Sequence, residues 1–442
     1  MRQGNLIAEE GGARLSDHVK IRKEFFGGIA FHTNTGDTLE VDLEAYKLLV
    51  WLRETGAVDV RILMKRQQVR ATLPVLLTTN IIELCRKPAS SDYLVFARTD
   101  DTPSESSRPA QHCLSAPETV HLAITYRCDE ACPDCYAHGY HSLIDRELDT
   151  TEMRGIIDKL AGNGVFQLAI GGGEPFLRPD LSDIVSYAAD SGLTVHITTG
   201  QYTLKPTSIP KRIKSLHVGI RSEEFIHNKA NTAAKLRALE EGLSHAGVGL
   251  GANLIMTRLT IRHVDQLTEL LMECGFRRLI FLRYKPIADR ARWNRENPDG
   301  DDLRFFKDWL THAKRQHPQL MLRNDCAATF LMRETDLVTA KQMGMKGCVA
   351  GDRILSIAPD GSVYPCSQLM GNAYRIGNLQ SDSFSAIWHE SDLLDQYRHF
   401  RQSLSFADGV CGKCKASPFC GGCRVFATDA VGSESFCPWS NH

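Results

Sequence analysis

The sequence predicts an α/β protein in three parts, with a partial (β/α)6 barrel as its central domain. Six apolar runs of strand length alternate with helical segments between residues 118 and 285, which is the pattern of a parallel sheet with crossover helices. A smaller module precedes this region. Most cysteines lie in two groups, at 128–135 within this region and at 348–437 after it. We therefore expect a winged-helix-like α+β domain, a linker, the barrel and a cysteine-rich domain, at 16–98, 99–117, 118–320 and 321–442.

Composition and charge exclude several functional classes. The 442 residues are 43% hydrophobic and 24% charged, which is ordinary for a globular protein. A formal net charge of -1 gives no reason to expect nucleic acid as a partner, and no apolar run approaches the ~20 residues of a membrane span. The N-terminus lacks the apolar stretch of a secretory signal, so we expect a cytoplasmic protein. In that reducing compartment its 14 cysteines are expected to bind metal clusters rather than form disulfides.

The N-terminal module is predicted from short strand and helix signals. Three strands are expected at 19–22, 28–31 and 38–41, with turn residues between the second and the third. Asp42 is expected to cap an amphipathic helix. Further helical patterns follow at 58–66 and 72–86. The segment after them, 99–117, is polar and rich in serine and proline, as linkers are.

The central domain is predicted as an alternation of strands and helices. Candidate strands lie at 119–125, 166–170, 194–198, 214–219, 249–256 and 278–283. Candidate helices lie at 152–162, 180–190, 231–246 and 263–274. Parallel α/β barrels carry their chemistry at the carboxyl ends of the strands, so the loops that follow these strands are the candidate site.

Three cysteines directly follow the first of these strands. Cys128, Cys132 and Cys135 form a C-x3-C-x2-C run. Three thiolates suit a four-iron cluster better than a zinc site, which usually takes four protein ligands. One iron of such a cluster would have no protein ligand and could bind a small molecule.

A glycine-rich motif follows the second strand, at Gly171-Gly172-Gly173-Glu174-Pro175. Its glycines let the backbone approach a ligand closely. The backbone there, or Glu174, could hold an ammonium group. A zinc clip beside an ordinary glycine turn is the alternative interpretation of these two motifs.

Together the cysteine run and the Gly171–Glu174 motif resemble the radical S-adenosylmethionine (radical SAM) superfamily. The resemblance implies a TIM-type partial barrel, a [4Fe-4S] cluster on the three cysteines and S-adenosylmethionine at the open iron, with its amino group held by Gly171, Gly172, Gly173 and Glu174. By the same resemblance, Thr199, Arg221 and Ser222 are candidates for further contacts with S-adenosylmethionine. Asp134 departs from the aromatic residue or histidine that many relatives carry there.

A second set of cysteines fills the C-terminal part, where a β-hairpin is predicted around 354–364. The stretch 340–442 resembles the SPASM domain, which holds auxiliary iron–sulfur clusters in many radical SAM peptide-modifying enzymes. By that pattern auxiliary cluster II takes Cys411, Cys414, Cys420 and Cys437, and auxiliary cluster I takes Cys348, Cys366 and Cys423. Cluster I is one thiolate short. Either one of its irons is open to substrate, or the fourth ligand is Cys326 or a group other than cysteine. Zinc ribbons are the alternative.

The N-terminal module also has a family resemblance. Residues 19–86 resemble the PqqD-like domain that recognises leader peptides in ribosomal-peptide maturation, named after the small chaperone of pyrroloquinoline quinone synthesis. The resemblance implies that a leader adds to the strand edge from Thr38 to Val41, with the helix near 72–86 as the wall of the groove. An internal docking domain is one alternative. Nucleic-acid binding through the basic Lys65, Arg66 and Arg70 is the other.

We therefore expect a radical SAM oxidoreductase that modifies a ribosomally made precursor peptide by C–H abstraction. A cross-link (thioether, C–C or C–O) is the leading product, because auxiliary clusters can accept an electron from the substrate radical. Flavodoxin or ferredoxin is the expected electron donor. The enzyme alternatives are mycofactocin-type oxidative decarboxylation or excision, and oxidation of a small molecule; the non-enzyme alternative is an iron–sulfur redox regulator. Side chains near strand ends that could face substrate are Tyr136, His138, His141, Arg283 and Tyr284.

Overall fold

The structure is a computed structural model that divides into two compact units, Met1–Ser115 and Ala116–His442. It describes residues 11–64, 67–86, 113–129, 132–137, 140–244, 247–287, 289–335, 337–342, 344–427 and 429–438. Most of the predicted linker, 99–112, lies outside the described residues, as do Lys65, Arg66 and His138. Across the described ranges, no helix is both long enough and apolar enough to cross a membrane.

The described residues of the first unit form two three-stranded sheets and three helices. One sheet has the order β5-β1-β6, formed by β1 (Gly11–Leu15), β5 (Val58–Asp59) and β6 (Ile82–Arg86). The other has the order β2-β3-β4, formed by β2 (Val19–Glu24), β3 (Gly27–His32) and β4 (Asp37–Asp42). The helices are α1 (Leu43–Thr55), α2 (Val60–Met64) and α3 (Gln67–Thr78).

The predicted three-stranded sheet and its capped helix are confirmed in this unit. Asp42 caps α1, and its Oδ1 accepts the N–H of Ala45 at 2.8 Å. Helix α1 lies close on β3 because two glycines leave room for it: a Cβ on Gly28 would stand 2.2 Å from the ring of Tyr46. In the second sheet of the unit, β1 begins before the predicted boundary at residue 16.

The predicted helix at 72–86 is wrong beyond Thr78. Asn80 takes a left-handed backbone conformation (φ 54°), which ends the helix. Residues 82–86 then form β6, which pairs antiparallel with β1. The sequence pattern here suits either structure, and pairing with a distant strand decides between them.

The second unit is built on a ten-stranded sheet, of which six strands form the predicted parallel set. These are β7 (Thr119–Thr125), β8 (Gln167–Gly172), β9 (Thr194–Thr199), β10 (Ser215–Ile220), β11 (Gly249–Met256) and β12 (Arg278–Arg283). The helices among and after them are α4 (Thr150–Gly162), α5 (Leu181–Asp190), α6 (Ser222–His227), α7 (Lys229–Ser244), α8 (Arg258–Arg262), α9 (Val264–Glu273), α10 (Arg290–Glu296) and α11 (Gly300–Gln316). The α/β fold with a parallel sheet is therefore confirmed.

Four more strands extend this sheet at both ends. At one end β13 (Met321–Asn324) pairs parallel with β12, so the sheet continues past the predicted domain boundary at 320. At the other end β14 (Ile354–Ile357) pairs parallel with β7, and β15 (Ser362–Tyr364) and β16 (Gly377–Asn378) follow antiparallel. The predicted hairpin is thus present, and its first strand also belongs to the barrel sheet.

The remaining C-terminal segments are short helices around the second cysteine set. A 3-10 helix at Cys326–Met332 follows β13. The α-helices are α12 (Leu337–Gln342), α13 (Phe384–His389), α14 (Asp392–His399) and α15 (Leu404–Asp408). Trp388 on α13 is fully buried, as are Leu394 on α14 and Leu355 on β14.

The parallel register brings the carboxyl ends of neighbouring strands together. Thr125 at the end of β7 pairs with Gly172 of β8, and Thr199 at the end of β9 pairs with Val218 of β10. Buried aliphatic side chains such as Ile170 fill the layer beneath. The loops that follow β7 to β10 therefore share one edge of the sheet.

Candidate active site

The first cysteine loop begins directly at the end of β7. Cys135 donates its N–H to the carbonyl oxygen of Cys132 at 3.2 Å, which closes a turn between them. Burial, with smaller contributions from the thiols of Cys132 and Cys128, raises the pKa of the Cys135 thiol to about 11. A buried thiol that resists ionisation fits a cationic iron site, because a coordinating cation deprotonates its thiols outright.

A carboxylate that the sequence did not single out anchors this loop. Glu147 Oε1 accepts the hydroxyl of Thr125 at 2.7 Å and the N–H of Tyr126 at 2.8 Å. The hydroxyl of Thr125 in turn accepts the N–H of Arg127 at 3.0 Å. Glu147 therefore fixes the backbone that leads into Cys128.

The glycine motif packs against the same backbone. Gly172 has φ +106°, and a Cβ there would stand 2.5 Å from the carbonyl oxygen of Thr125. A Cβ on Gly173 would stand 2.2 Å from the carbonyl oxygen of Arg127. The N–H groups of Gly173 and Glu174 donate to those two oxygens at 2.8 and 2.9 Å. Only glycine allows this close approach, so the motif and the cysteine loop form one rigid surface.

Glu174 is a buried link between β8 and β9. Its side chain is 1% exposed and accepts three donors: the hydroxyl of Thr199 at 2.9 Å, the N–H of Gly200 at 3.0 Å and the N–H of Phe176 at 3.1 Å. Burial raises the pKa of Glu174, while these hydrogen bonds oppose the rise. Thr199, predicted to contact S-adenosylmethionine, thus points its hydroxyl at Glu174.

Arg221 and Ser222 follow β10 but face different surroundings. Arg221 pairs with Glu224 at 2.7 Å, and its guanidinium lies 4.6 Å from the ring centre of Tyr202. It also donates to the carbonyl oxygen of Gly200 at 3.3 Å, which joins it to the end of β9. Ser222 is buried and accepts the hydroxyl of Thr260 at 2.8 Å. Arg221 therefore lies beside the other candidate contacts, whereas Ser222 belongs to a buried hydroxyl network.

An aromatic residue joins the two cysteine regions. The hydroxyl of Tyr136 lies beside Gly171 and contacts the backbone of Gly172. Burial raises the pKa of Tyr136, and the thiols of Cys135 and Cys366 add to the rise. The first cluster loop and the C-terminal cysteines are thus neighbours across this ring.

The second cysteine set separates into two groups. In the first, the thiols of Cys348, Cys366 and Cys423 interact electrostatically. Burial raises the pKa of Cys366 to about 11 and also raises that of Cys423. Cys326, in the 3-10 helix after β13, interacts with all three of these thiols.

In the second group Cys420 interacts with Cys411 and Cys437, and burial raises the pKa of Cys420 to about 12. Cys414 adjoins Cys411, to whose carbonyl oxygen it donates at 3.2 Å. Among the described residues, no three His, Cys, Asp or Glu side chains are gathered closely enough to hold a single metal ion. The thiols instead fall into two groups. Burial raises the pKa of five of them: Cys326, Cys366, Cys411, Cys420 and Cys423.

Two buried ion pairs tie the end of β12 to the cysteine segments. Arg283 pairs with Glu434 at 2.6 Å, and their side chains are 8% and 2% exposed. Burial lowers the pKa of Arg283, but the charge of Glu434 outweighs burial and the net pKa is raised. Glu434 also accepts the N–H of Cys423 at 2.8 Å. Arg283, one of the side chains that the sequence suggested could face substrate, takes part in this buried ion pair.

The second pair joins Lys285 to Asp325 at 2.6 Å. Tyr284, between the two cations, is buried, and its carbonyl oxygen accepts the indole N–H of Trp293 at 3.0 Å. Sequence reasoning missed Lys285, although its position directly after a strand at the active edge was a usable signal.

Comparison with known families and proteins places two regions of the chain. The model of the Radical SAM superfamily matches residues 122–220, and that of SPASM, an iron-sulfur cluster-binding domain, matches 348–415. Mycofactocin maturase MftC of Mycolicibacterium smegmatis is 29% identical over 325 residues, which cover 71% of this chain and 79% of that protein. The AdoMet-dependent heme synthase of Methanosarcina barkeri is 25% identical over 347 residues, 73% of this chain and 97% of that protein.

Solved structures show the same fold. Streptococcus suis SuiB bound to S-adenosylmethionine superposes with a TM-score of 0.68 at 18% identity, covering 96% of this chain and 99% of that one. SuiB bound to its precursor peptide SuiA superposes with a TM-score of 0.67 at 16% identity and the same coverage.

Proposed function

We propose that this radical SAM enzyme modifies a ribosomally made precursor peptide at one of its C–H bonds. Its radical SAM and SPASM domains assign its cofactors: a [4Fe-4S] cluster with S-adenosylmethionine, and auxiliary iron–sulfur clusters. When bound, these supply a 5′-deoxyadenosyl radical for hydrogen abstraction and an acceptor for the electron that remains. The residues of the chain hold the cofactors and the substrate in place.

The shared strand edge is suited to hold S-adenosylmethionine. Cys128, Cys132 and Cys135 would ligate the cluster. Glu174 is buried and occupied by protein donors, so we assign the ammonium group of the methionine part to the carbonyl oxygens of the half-exposed Gly171, Gly172 and Gly173. Arg221 would supply a cation for the carboxylate of S-adenosylmethionine. Thr199 would act indirectly, through its hydrogen bond to Glu174.

The observation that carries the peptide assignment is the edge position of β4 in the first unit. In the sheet β2-β3-β4, β3 lies between the other two strands and β4 forms one edge. An extended leader peptide can add to such an edge through main-chain hydrogen bonds. The half-exposed Leu39 and the exposed Leu43, at 46%, supply apolar surface beside the edge for leader side chains. Helix α3 packs on α1 and β6.

We assign a cross-link as the product, because auxiliary clusters provide an electron acceptor for a net two-electron oxidation. A flavodoxin or ferredoxin would donate the electron that starts the reaction. A second candidate is mycofactocin-type oxidative decarboxylation, which the 29% identity to MftC over 325 residues favours. Both candidates start from hydrogen abstraction on a bound peptide, and the product mass separates them.

Anaerobic co-expression with the peptides encoded by short open reading frames beside this gene tests the assignment. We expect the peptide to lose two hydrogens with the wild type and to stay unchanged with Cys128→Ala. Loss of carbon dioxide instead would select decarboxylation. An unchanged peptide, despite cleavage of S-adenosylmethionine to 5′-deoxyadenosine, would count against a peptide substrate and favour a small molecule.

A pair of proline substitutions tests the leader site. Adjacent residues of a strand point their N–H groups in opposite directions. Of the two substitutions Leu39→Pro and Glu40→Pro, one therefore removes an N–H that points toward β3, and the other removes an N–H that points toward the edge of the sheet. We expect the edge-facing substitution to weaken leader binding at least tenfold with little change in melting temperature. The other should destabilise the unit. Leader affinity that survives both substitutions would place the peptide elsewhere.

A further inference from the structure

Cys326 lies among the three thiols expected at auxiliary cluster I. The sequence pattern gives that cluster Cys348, Cys366 and Cys423, which leaves its fourth position undecided. In the structure Val425 packs against the cluster that holds Cys423 and Ala327, the neighbour of Cys326. Val425 also packs in the cluster that Cys348 and Cys366 join, so the four cysteines lie in one region. Cys326, Cys348 and Cys366 are half-buried.

The main chain fixes the position of Cys326. It is the first residue of the 3-10 helix after β13. The next residue, Ala327, is 3% exposed and packs in one cluster with Cys423 and Phe426. Arg283 at the end of β12 donates to the carbonyl oxygen of Ala327 at 3.1 Å. Cys326 is therefore fixed by the barrel, whereas the other three cysteines come from the SPASM segment.

A buried cation accompanies this group of thiols. The Lys285 side chain is 8% exposed, and its Nζ lies 2.6 Å from Asp325 Oδ2, one residue before Cys326. The other oxygen of Asp325, Oδ1, is buried without a hydrogen-bond partner among the described residues. A lysine in this position offsets the negative charge that thiolate ligands bring to a buried cluster.

We propose that Cys326 is the fourth thiolate ligand of auxiliary cluster I, with Lys285 as its buried counter-charge. The cluster is then held by one cysteine of the barrel and three of the SPASM segment. With four protein thiolates it has no open iron for a substrate thiolate. Its role in the proposed reaction is to carry electrons, and the strand-β13 connection ties its position to the barrel.

Spectroscopy of the loaded protein tests this ligand without any peptide. The parent is the triple variant Cys128→Ala/Cys132→Ala/Cys135→Ala, which keeps only the auxiliary clusters. Iron content and the electron paramagnetic resonance spectrum after dithionite reduction are measured with and without cyanide, which binds an open iron. We expect the parent spectrum to be insensitive to cyanide. Adding Cys326→Ala should lower iron content or alter one cluster signal and make it respond to cyanide.

Two further variants keep the result interpretable. Cys274→Ala removes a buried thiol that bonds the carbonyl oxygen of Ala233 and should match the parent. Cys326→Ser keeps a ligand of similar size, so it should fold and retain iron but shift the signal. A parent that responds to cyanide, or a Cys326→Ser variant with the parent spectrum, overturns the proposal. Both outcomes are independent of whether a peptide is the substrate.

Discussion

Replacing Thr199 with valine tests whether Glu174 links β8 to β9 and thereby shapes the cofactor site. Thr199 is 2% exposed; its hydroxyl donates to both carboxylate oxygens of Glu174 at 2.9 Å and accepts the N–H of Gln201 at 3.0 Å. Valine keeps the shape but loses these bonds. Because a hydrogen bond to a charged group contributes about 1.5–3 kcal/mol, we expect the variant to lose about 2 kcal/mol of unfolding free energy.

The assay compares melting temperature and S-adenosylmethionine affinity of the cluster-loaded proteins. A loss of about 2 kcal/mol corresponds to a drop of about 3 °C in melting temperature for a unit of this size. We expect S-adenosylmethionine to bind about tenfold more weakly, equivalent to about 1.4 kcal/mol, because the glycine carbonyls shift. Thr199→Ser keeps the hydroxyl and should restore both values. Wild-type behaviour of Thr199→Val, or equal damage from serine, would refute the link.

The pH dependence gives this prediction a second readout. Burial raises the pKa of Glu174 above its ordinary value of 4.5, so the folded protein holds this proton more readily than the unfolded chain. The stability that Glu174 contributes is therefore full below pH 4.5 and is lost as pH rises through its folded pKa. Thr199→Val removes a bond that lowers this pKa and should extend the loss to higher pH. Glu174→Gln should abolish this part of the pH dependence.

Three further predictions concern the scaffold of the site. Gly172→Ala would place a Cβ 2.5 Å from a backbone oxygen of β7 and should lower the iron content of the protein. The control is Gly192→Ala, where φ is +87° and no atom lies within 4 Å of the added Cβ, so the substitution should cost only about 1 kcal/mol of backbone strain. Equal loss of iron from the two variants would contradict this prediction. Arg283→Met leaves the charge of Glu434 buried and unpaired and should lower the free energy of unfolding, measured in urea, by about 3–5 kcal/mol. The double variant Arg283→Met/Glu434→Gln should recover part of this loss. If it recovers none, the ion pair is not the cause. Glu147→Ala should reduce iron at the first cluster alone, and spectra showing uniform loss from every cluster would argue against local anchoring.

Much of the fold followed from local sequence patterns. The six central strands and their helices lie where apolar periodicity predicts them, because the pattern of buried apolar side chains in each element is present in its own sequence. Strand β6 did not follow, since 82–86 becomes a strand only by pairing with β1, a partner some 70 residues away in the sequence. The same reason hides the pairing of β14 with β7.

The candidate site divides in the same way. Sequence spacing alone indicated the thiolate loop at Cys128 and the glycine motif ending at Glu174, because both lie within a few residues of a predictable strand end. It left open whether the backbone or Glu174 itself meets an ammonium group. The structure favours the backbone, because Glu174 is buried among donors from the end of β9.

The sequence by itself determined the chemistry of this protein: closely spaced thiols, glycines where the backbone must approach, and a parallel sheet that brings them to one edge. Only the tertiary structure decided which distant groups share a space. It packed Ala327, the neighbour of Cys326, with Cys423, and it paired Lys285 with Asp325 and Arg283 with Glu434. These neighbours come from separate strands and loops. They pair because a buried charge or polar group without a partner costs free energy. Local sequence spacing does not show which distant group will be that partner.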